Sequence, residues 1–428
     1  MFQAKFGRKL AARSKSFFSQ LETLARKTGL IRRVSKKFSA SGLVLTLLKA
    51  VSSGKGSFNQ LAITMDQSEM ESCSAQALWK RIDQRAVHFM MEVTAQALTE
   101  RWSKEQVIAA ALFKRVIIED SSQTKLPASN HEEFPGHGNG SGDTAGCKFD
   151  LAFDLLTGEV IFDTLRLATD QDRELGKDLV DLVEENDLVL RDMGYFSLSE
   201  FGRIAALGAW WLSRLPANVT AHDQDGRKLE MILRNTKAAR VEFEALVGEV
   251  GHPARLIAVR ATAPVARQRR RQRRQKAAEL GKSASKDMLT RDAWHIMITN
   301  VEEVMMGAKE LFELYRVRWQ VEITFRAWKQ SAHLEVALKR RSNPYHLQAL
   351  MYAGILMLIL TMKTAALLQK TYRDDVLSIE KIADAFTSNL ATLTSLESFA
   401  TYNPDHRHLR MDRRSRKSLH QIAHGLLG

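Results

Sequence analysis

Cysteine is nearly absent: Cys73 and Cys147 are the only two. They lie far apart, without the paired spacing of a zinc site, so neither a disulfide framework nor a cysteine-based metal centre is supported, and a reducing compartment suits the chain. Proline is also scarce, 7 in 428 residues, and no long polar tract occurs. With 45% hydrophobic residues, that composition excludes wholesale disorder. There is no internal repeat and no glycine-rich phosphate loop. The basic N-terminal stretch holds no continuous apolar segment, so no secretory leader is read there. The most apolar run, residues 349–362, stops at Lys363, short of the roughly 20 residues a bilayer span needs, and reads as a buried core helix. Acidic residues are the minority, 49 against 63 Lys and Arg, for a net charge of +14. That excess favours a polyanionic partner, either nucleic acid or an acidic membrane surface. The length is too great for one compact domain.

Residues 1–50 carry twelve basic residues and one Glu, on apolar spacing that suits short helices. Ser57–Gln67 and Ser74–Asp83, parted by a polar break, have the length and rhythm of a helix-turn-helix. An ordinary helical bundle with surface charge is the equal alternative. From about Arg115 the period changes. RVIIED, FDLAFDLL, EVIFDTLRLA and DLVLRDMGYF read as strands, because short β-branched or aromatic runs end in turn residues. DQDRELGKDLVDLVEEN reads as a helix between the third and fourth, and Ala209–Pro216 as a fifth strand. The pattern indicates a mixed sheet of α/β type with helices packed on it.

Beyond it, RLIAVRAT is a further strand candidate, followed by ARQRRRQRRQKAAELGKSASK on a helix-compatible background. Residues 264–291 hold ten basic and two acidic residues. Such a run is either a solvated face or a phosphate contact. Arg270, Arg273 and Arg274 are the candidates for the second role, since guanidinium pairs with phosphate and each neutralised phosphate releases counterions. A milder basic segment spans Arg407–Lys417.

The densest signal is ELYRVRWQVEITFRAWKQ, Glu313–Gln330. At about 100° per residue, Tyr315, Arg318, Glu322 and Lys329 fall on one narrow face of a helix. They could form an exposed salt-bridged stripe. Trp319, Phe325 and Trp328 make the helix too apolar for that, so the polar stripe is expected to face a cleft.

This Tyr, Arg, Glu and Lys spacing resembles the Y-R-E-K signature of bacterial insertion-sequence transposases of the DDE superfamily, the cut-and-paste type. Asp120 closes VIIED and Asp192 closes LVLRD, similar to the two upstream aspartates of that family. Asp192 also opens DMGYFS, Ser121-Ser122 follows Asp120, and Thr299-Asn300 precedes the signature helix, each in keeping with the family. The resemblance covers about Val107 to Leu360. It implies a ribonuclease H-like mixed sheet core split by an inserted domain, with helical N- and C-terminal regions. Asp120 and Asp192 lie 72 residues apart, and Asp192 and Glu322 lie 130 apart, which leaves room for the insertion.

The expected layout is a helical basic DNA-binding region over 1–105, the catalytic core over 106–216 and 295–370, an inserted basic domain over 217–294, and a helical basic C-terminal region over 371–428.

The chemistry gives a reason for three carboxylates. Cleaving a phosphodiester needs an activated nucleophile and a stabilised leaving oxygen, which two Mg²⁺ ions can serve, and Mg²⁺ prefers hard oxygen ligands. The resemblance implies that Asp120, Asp192 and Glu322 are the catalytic and metal-binding acids for two Mg²⁺ ions, with Mn²⁺ as a substitute. It also implies that Arg318 and Lys329 grip phosphate at the cleaved end, that Tyr315 supports them, and that Arg214 reaches phosphate too. Taken singly, Asp120 reads better as a strand-end turn residue and Asp192 as a helix cap or turn former; joined to Glu322 in the right order and contexts, the three read as a triad.

Relatives that pass through a DNA hairpin use a tryptophan of the insertion to hold a flipped base. Between Pro216 and Ala293 the only aromatic residue is Phe243, so the use of a hairpin stays open. The expected activity is Mg²⁺-dependent cleavage at the element's ends and strand transfer into target DNA. The expected partner is double-stranded DNA, the terminal inverted repeats and the target, and not a membrane. A homodimer would hold paired ends, in the bacterial cytoplasm at the nucleoid. The alternatives are a nuclease of the same core that cuts without rejoining, or an inactive DNA-binding relative.

Overall fold

The computed structural model describes residues 10, 15–33, 37–67, 72–99, 112–138, 144–155, 160–171, 177–315, 318, 333–339, 343–372, 377–392 and 404–410. In chain order the helices and strands are α1 (Leu21–Lys27), α2 (Ala40–Ser53), α3 (Phe58–Asp66), α4 (Ala75–Arg81), α5 (Gln84–Thr99), β1 (Val116–Leu126), β2 (Ala145–Asp154), β3 (Val160–Leu167) and β4 (Leu188–Arg191). These are followed by α6 (Leu198–Ala206), β5 (Trp210–Arg214), β6 (Ala221–Asp223), α7 (Leu229–Asn235), β7 (Arg240–Val247), β8 (His252–Arg260), α8 (Ala263–Glu279), α9 (Lys286–Arg291) and β9 (Trp294–Thr299). The series ends with α10 (Leu334–Leu338), α11 (Pro344–Thr371) and α12 (Ile379–Thr392). Residues 308–315 are helical as well. The chain is of mixed α/β type, with a large mixed sheet and many helices.

The described residues fall into two compact units. One takes those of Met1–Ala109, Asp120–Asp170 and Trp319–Gly425; the other takes those of Ala110–Glu119 and Gln171–Arg318.

In the first unit several helices start where side chains cap them. Ser39 accepts from the Gly42 amide at the head of α2, and Ser57 and Gln60 form a capping box on α3. Ser74 caps α4 by accepting from the Ala77 amide. The two helices read over Ser57–Gln67 and Ser74–Asp83 are thus α3 and α4. The centre of the unit is α11, which packs against α2 and α5. It is longer than the apolar run that announced it. Asn343 caps it and Pro344 opens it, and it runs 28 residues, long and apolar enough by length and composition to cross a membrane. Yet 89% of its most apolar window is buried, as a core helix requires. Lys363, expected to end the run, is itself buried. The hydroxyls of Thr361, Thr364 and Thr371 donate to the carbonyls four residues back at 2.7, 2.8 and 2.8 Å, which lets polar residues sit in this core without orphaned groups. The same unit holds the antiparallel β2–β3 pair, registered from Cys147 opposite Leu167 to Phe153 opposite Val160.

The second unit is built on a sheet. Val116–Ile118 of β1 pair in parallel with Leu188–Leu190 of β4, and β4 pairs in parallel with β5. Then β5 pairs antiparallel with β9, and the order continues β9, β8, β7, β6, all antiparallel. Residues 217–294 therefore supply three strands that join β5 through β9. The central strands are apolar on both faces: Val116, Ile117, Ile118, Leu188, Val189, Leu190, Trp211 and Leu212 are all fully buried, as expected of parallel strands covered on two sides. On one face, Phe201 of α6 stacks on Trp211, with centroids 4.3 Å apart and planes 9° apart.

Candidate functional site

The four residues of β4 are buried throughout, and the strand stops at Asp192 because Met193–Tyr195 turn into a short 3-10 helix. Successive strand residues face opposite sides, so Arg191 and Asp192 diverge. Arg191 is fully buried and meets the fully buried Glu119 of β1, Nε to Oε2 3.1 Å. The Asp192 side chain is about one-third exposed, at 36%.

Around Asp192 the second unit gathers three of the residues singled out in the sequence. The Tyr315 hydroxyl lies 3.3 Å from the Arg191 carbonyl oxygen and 3.5 Å from Asp192 Oδ1, and can donate to either. Arg318 places a guanidinium nitrogen 3.7 Å from the same Oδ1, with its Cζ 5.9 Å from the Tyr315 ring centroid. Burial, and then the Asp192 charge, push the Tyr315 phenol up to about 12, while the Arg318 and Arg214 charges oppose that rise. Arg214, the last residue of β5, is thus within electrostatic reach of the phenol. A carboxylate, a neutral phenol and a guanidinium meet at one strand end with a second guanidinium in electrostatic reach, an arrangement able to hold a phosphate beside an oxygen-ligated cation.

Asp120 follows Ile118 on β1 by two residues, as Asp192 follows Leu190 on β4, and Ile118 and Leu190 are register partners. The Ser121 amide donates to Asp120 Oδ1 at 3.0 Å. Glu322 and Lys329 lie outside the described residues. Among the described residues no group of three or more His, Cys, Asp or Glu could hold a metal ion.

The arginine-rich run is helical, as α8, but its arginines divide. Arg270 donates to the Leu289 carbonyl at 2.9 Å. Arg273 grips Asp292 with two bonds of 2.7 Å, which hold its guanidinium pKa above the usual value. Arg274 faces solvent.

Several supporting residues escaped sequence reasoning. The Glu119–Arg191 pair is one. Arg291 is another: it binds Glu230 at 2.5 Å and the carbonyls of Pro216, Ala217 and Val219 at 3.1, 3.1 and 2.8 Å, fixing the loop after Arg214. Asn300 accepts from the Trp211 amide at 2.7 Å and donates to the Ala209 carbonyl at 3.0 Å, while the Thr299 hydroxyl donates to the Trp211 carbonyl at 2.5 Å. These bonds give the Thr-Asn pair before the signature helix a physical task, which is to hold β5. A polar residue at a strand end was the available signal, without a partner to attach to it.

Residues 111–358 match the family described as transposase DDE domain. The chain belongs to the DDE transposase family. Among its relatives, the transposase for insertion sequence element IS231B of Bacillus thuringiensis subsp. berliner is 26% identical over 338 residues, covering 73% of this chain and 70% of the relative. The transposase for IS1151 of Clostridium perfringens is 26% identical over 295 residues, covering 63% and 62%. Of solved structures, a piggyBac transposase synaptic complex with hairpin DNA aligns with a TM-score of 0.46 at 9% identity, over 100% of this chain and 85% of that one. The transposase is therefore an insertion-sequence enzyme that breaks and joins DNA phosphodiesters, of a family that works with divalent metal ions.

Proposed function

We propose that the transposase cuts at the ends of its own element and transfers the freed strand into target DNA by cut and paste, using Asp120, Asp192 and Glu322 with Mg²⁺. The observation that carries this reading is the Asp192 strand end, where Tyr315 and Arg318 of the Y-R-E-K spacing stand against the carboxylate. The equal offsets of Asp120 and Asp192 beyond a parallel register pair support it. So does the strand sequence, which we read as a ribonuclease H-like core with residues 217–294 inserted between β5 and β9.

The donor set suits the metal. Carboxylates are hard oxygen ligands, and Asp192 is held only loosely by its own cation, at 3.7 Å, so its oxygens remain suited to a divalent ion. Asp120, Asp192 and Glu322 would hold two Mg²⁺ ions, with Mn²⁺ as a substitute; bound there, they supply a lowered water pKa and stabilise the leaving oxygen. The protein's own side chains do the rest. Arg318, Arg214 and Lys329 bind and orient the phosphate at the cleaved end. Tyr315, protonated at neutral pH, keeps its hydroxyl as a donor that fixes Asp192 and the end of β4. No side chain needs to become covalently attached to DNA. Cutting two ends together calls for a homodimer on paired inverted repeats, at work on the bacterial chromosome in the cytoplasm.

The test is Glu322→Gln, assayed on DNA carrying the element's ends. End binding should persist and Mg²⁺-dependent cleavage should vanish; cleavage at the wild-type rate would remove Glu322 from the site. Precut ends supplied with a target plasmid should be joined by the wild-type protein, and failure to join them would leave a nuclease.

A further inference from the structure

The division of arginines on α8 has a geometric cause. At about 100° per residue, Ala266, Arg269, Arg270, Arg273 and Ala277 share one side of the helix, and Arg267, Arg271 and Arg274 share another. The first set is the anchor. Arg269 donates to the Trp294 carbonyl and lies against His295 Nδ1, each at 3.2 Å. Arg270 and Arg273 bind Leu289 and Asp292 as described above, and Ala266 is buried. Three arginines thereby fasten α8 to α9 and β9. The second set is exposed, and none of its members makes a hydrogen bond or ion pair among the described residues.

We propose that Arg267, Arg271 and Arg274 form a preset phosphate-contact row that binds the double-stranded DNA backbone without reading its sequence. Seven helical steps from Arg267 to Arg274, at 1.5 Å each, make the row about 10 Å long, which spans several phosphate charges of a duplex. Holding the helix by its inner arginines lowers the ordering cost of presenting the outer three. The row is also continuous with the site. Arg269, at the anchor, is near enough to Arg214 that the Arg214 charge, after burial, lowers its pKa. Basic charge therefore extends from the Asp192 strand end to the outer face of α8. Beside the row stand exposed Gln268 and Gln272, polar side chains suited to phosphate and sugar and unsuited to insertion into lipid.

This inference rests on the reading that the protein acts on DNA, but not on Glu322 or on metal, so its test is run in EDTA. Full-length protein is titrated with a fluorescent duplex of random sequence at several salt concentrations. Replacing all three arginines, as R267Q/R271Q/R274Q, should flatten the log affinity against log salt slope by about 2.7, near 0.9 per lost phosphate contact. Across a fourfold salt range that is a change in salt response of roughly 40-fold. Gln268→Ala with Gln272→Ala should leave the slope unchanged, and the thermal midpoint should confirm that the triple variant folds. Should it not fold, Arg271→Gln alone is expected to flatten the slope by about 0.9. An unchanged slope in a folded variant overturns the proposal. So does lost binding to phosphatidylglycerol vesicles with the DNA slope intact. Loss of cleavage in Glu322→Gln alongside an unchanged slope in the triple variant would leave the catalytic reading standing and remove this one.

Discussion

Arg191 and Glu119 meet out of water at 3.1 Å on adjacent parallel strands, each one residue ahead of an aspartate assigned to the chemistry. The pair ties the first half of β1 to the end of β4, and by strand alternation Arg191 faces away from Asp192. Buried ions are costly when stripped of their partner and near neutral when both are replaced by apolar groups. Glu119→Leu should therefore destabilise by roughly 3–5 kcal/mol. The double change Glu119→Leu with Arg191→Met should recover most of that loss, as read by urea unfolding.

The Tyr315 phenol supplies a pH dependence. Its folded pKa, pushed up to about 12, lies above the unfolded value of about 10. The folded state thus binds the proton more tightly. This contribution is complete below pH 10 and is lost as the pH rises through 12; two units correspond to a ceiling of about 3 kcal/mol. Phenolate absorbance should show a late transition that Tyr315→Phe deletes, while a Tyr315→Phe protein titrating like the wild type would place the late phenol elsewhere.

Asn300 serves two backbone groups of β5 and its entry. Asn300→Ala leaves the Trp211 amide and the Ala209 carbonyl without that partner. A stability loss of about 1–3 kcal/mol is expected, with reduced cleavage because Arg214 ends the same strand. Chemical denaturation and a cleavage assay measure the two effects.

Gly56 in the first unit has no room for a methyl group. A Cβ there would stand 2.4 Å from the Ala337 carbonyl oxygen, a backbone atom that cannot swing aside. Gly56→Ala should cost about 1–3 kcal/mol through overpacking. Gly138→Ala, where nothing lies within 4 Å, should cost little. Thermal midpoints of the two variants, compared side by side, decide it.

The strands β2 to β5 and the helices α3, α4 and α8 were legible because each follows a local rule, either alternation, an apolar run closed by turn residues, or a serine before a helix. β1 was readable only to Asp120. Its continuation to Leu126 is a polar stretch, Ser121 to Lys125, that pairing rather than pattern holds in the sheet. The length of α11 was underread because Lys363 looked like a terminus, whereas packing from several helices buries it. At the site, Asp192, Tyr315 and Arg318 could be chosen from spacing and resemblance. The roles of Glu119, Arg291 and Asn300 could not, since their partners stand 72, 61 and 89 residues away and become neighbours only in the sheet. Nor could composition tell Arg273 from Arg274; one residue of helical rotation separates an anchor from a solvent-facing charge.

The largely apolar helix at the heart of the first unit leans on α2 and α5, segments made well before it. While the ribosome adds residues 100–343, the earlier α2 and α5 wait with an uncovered apolar surface. A premature stop ahead of Pro344 would release that layer bare, to be shielded by chaperones or lost to aggregation. Such a fragment could not persist as a quiet, soluble competitor of the full-length enzyme.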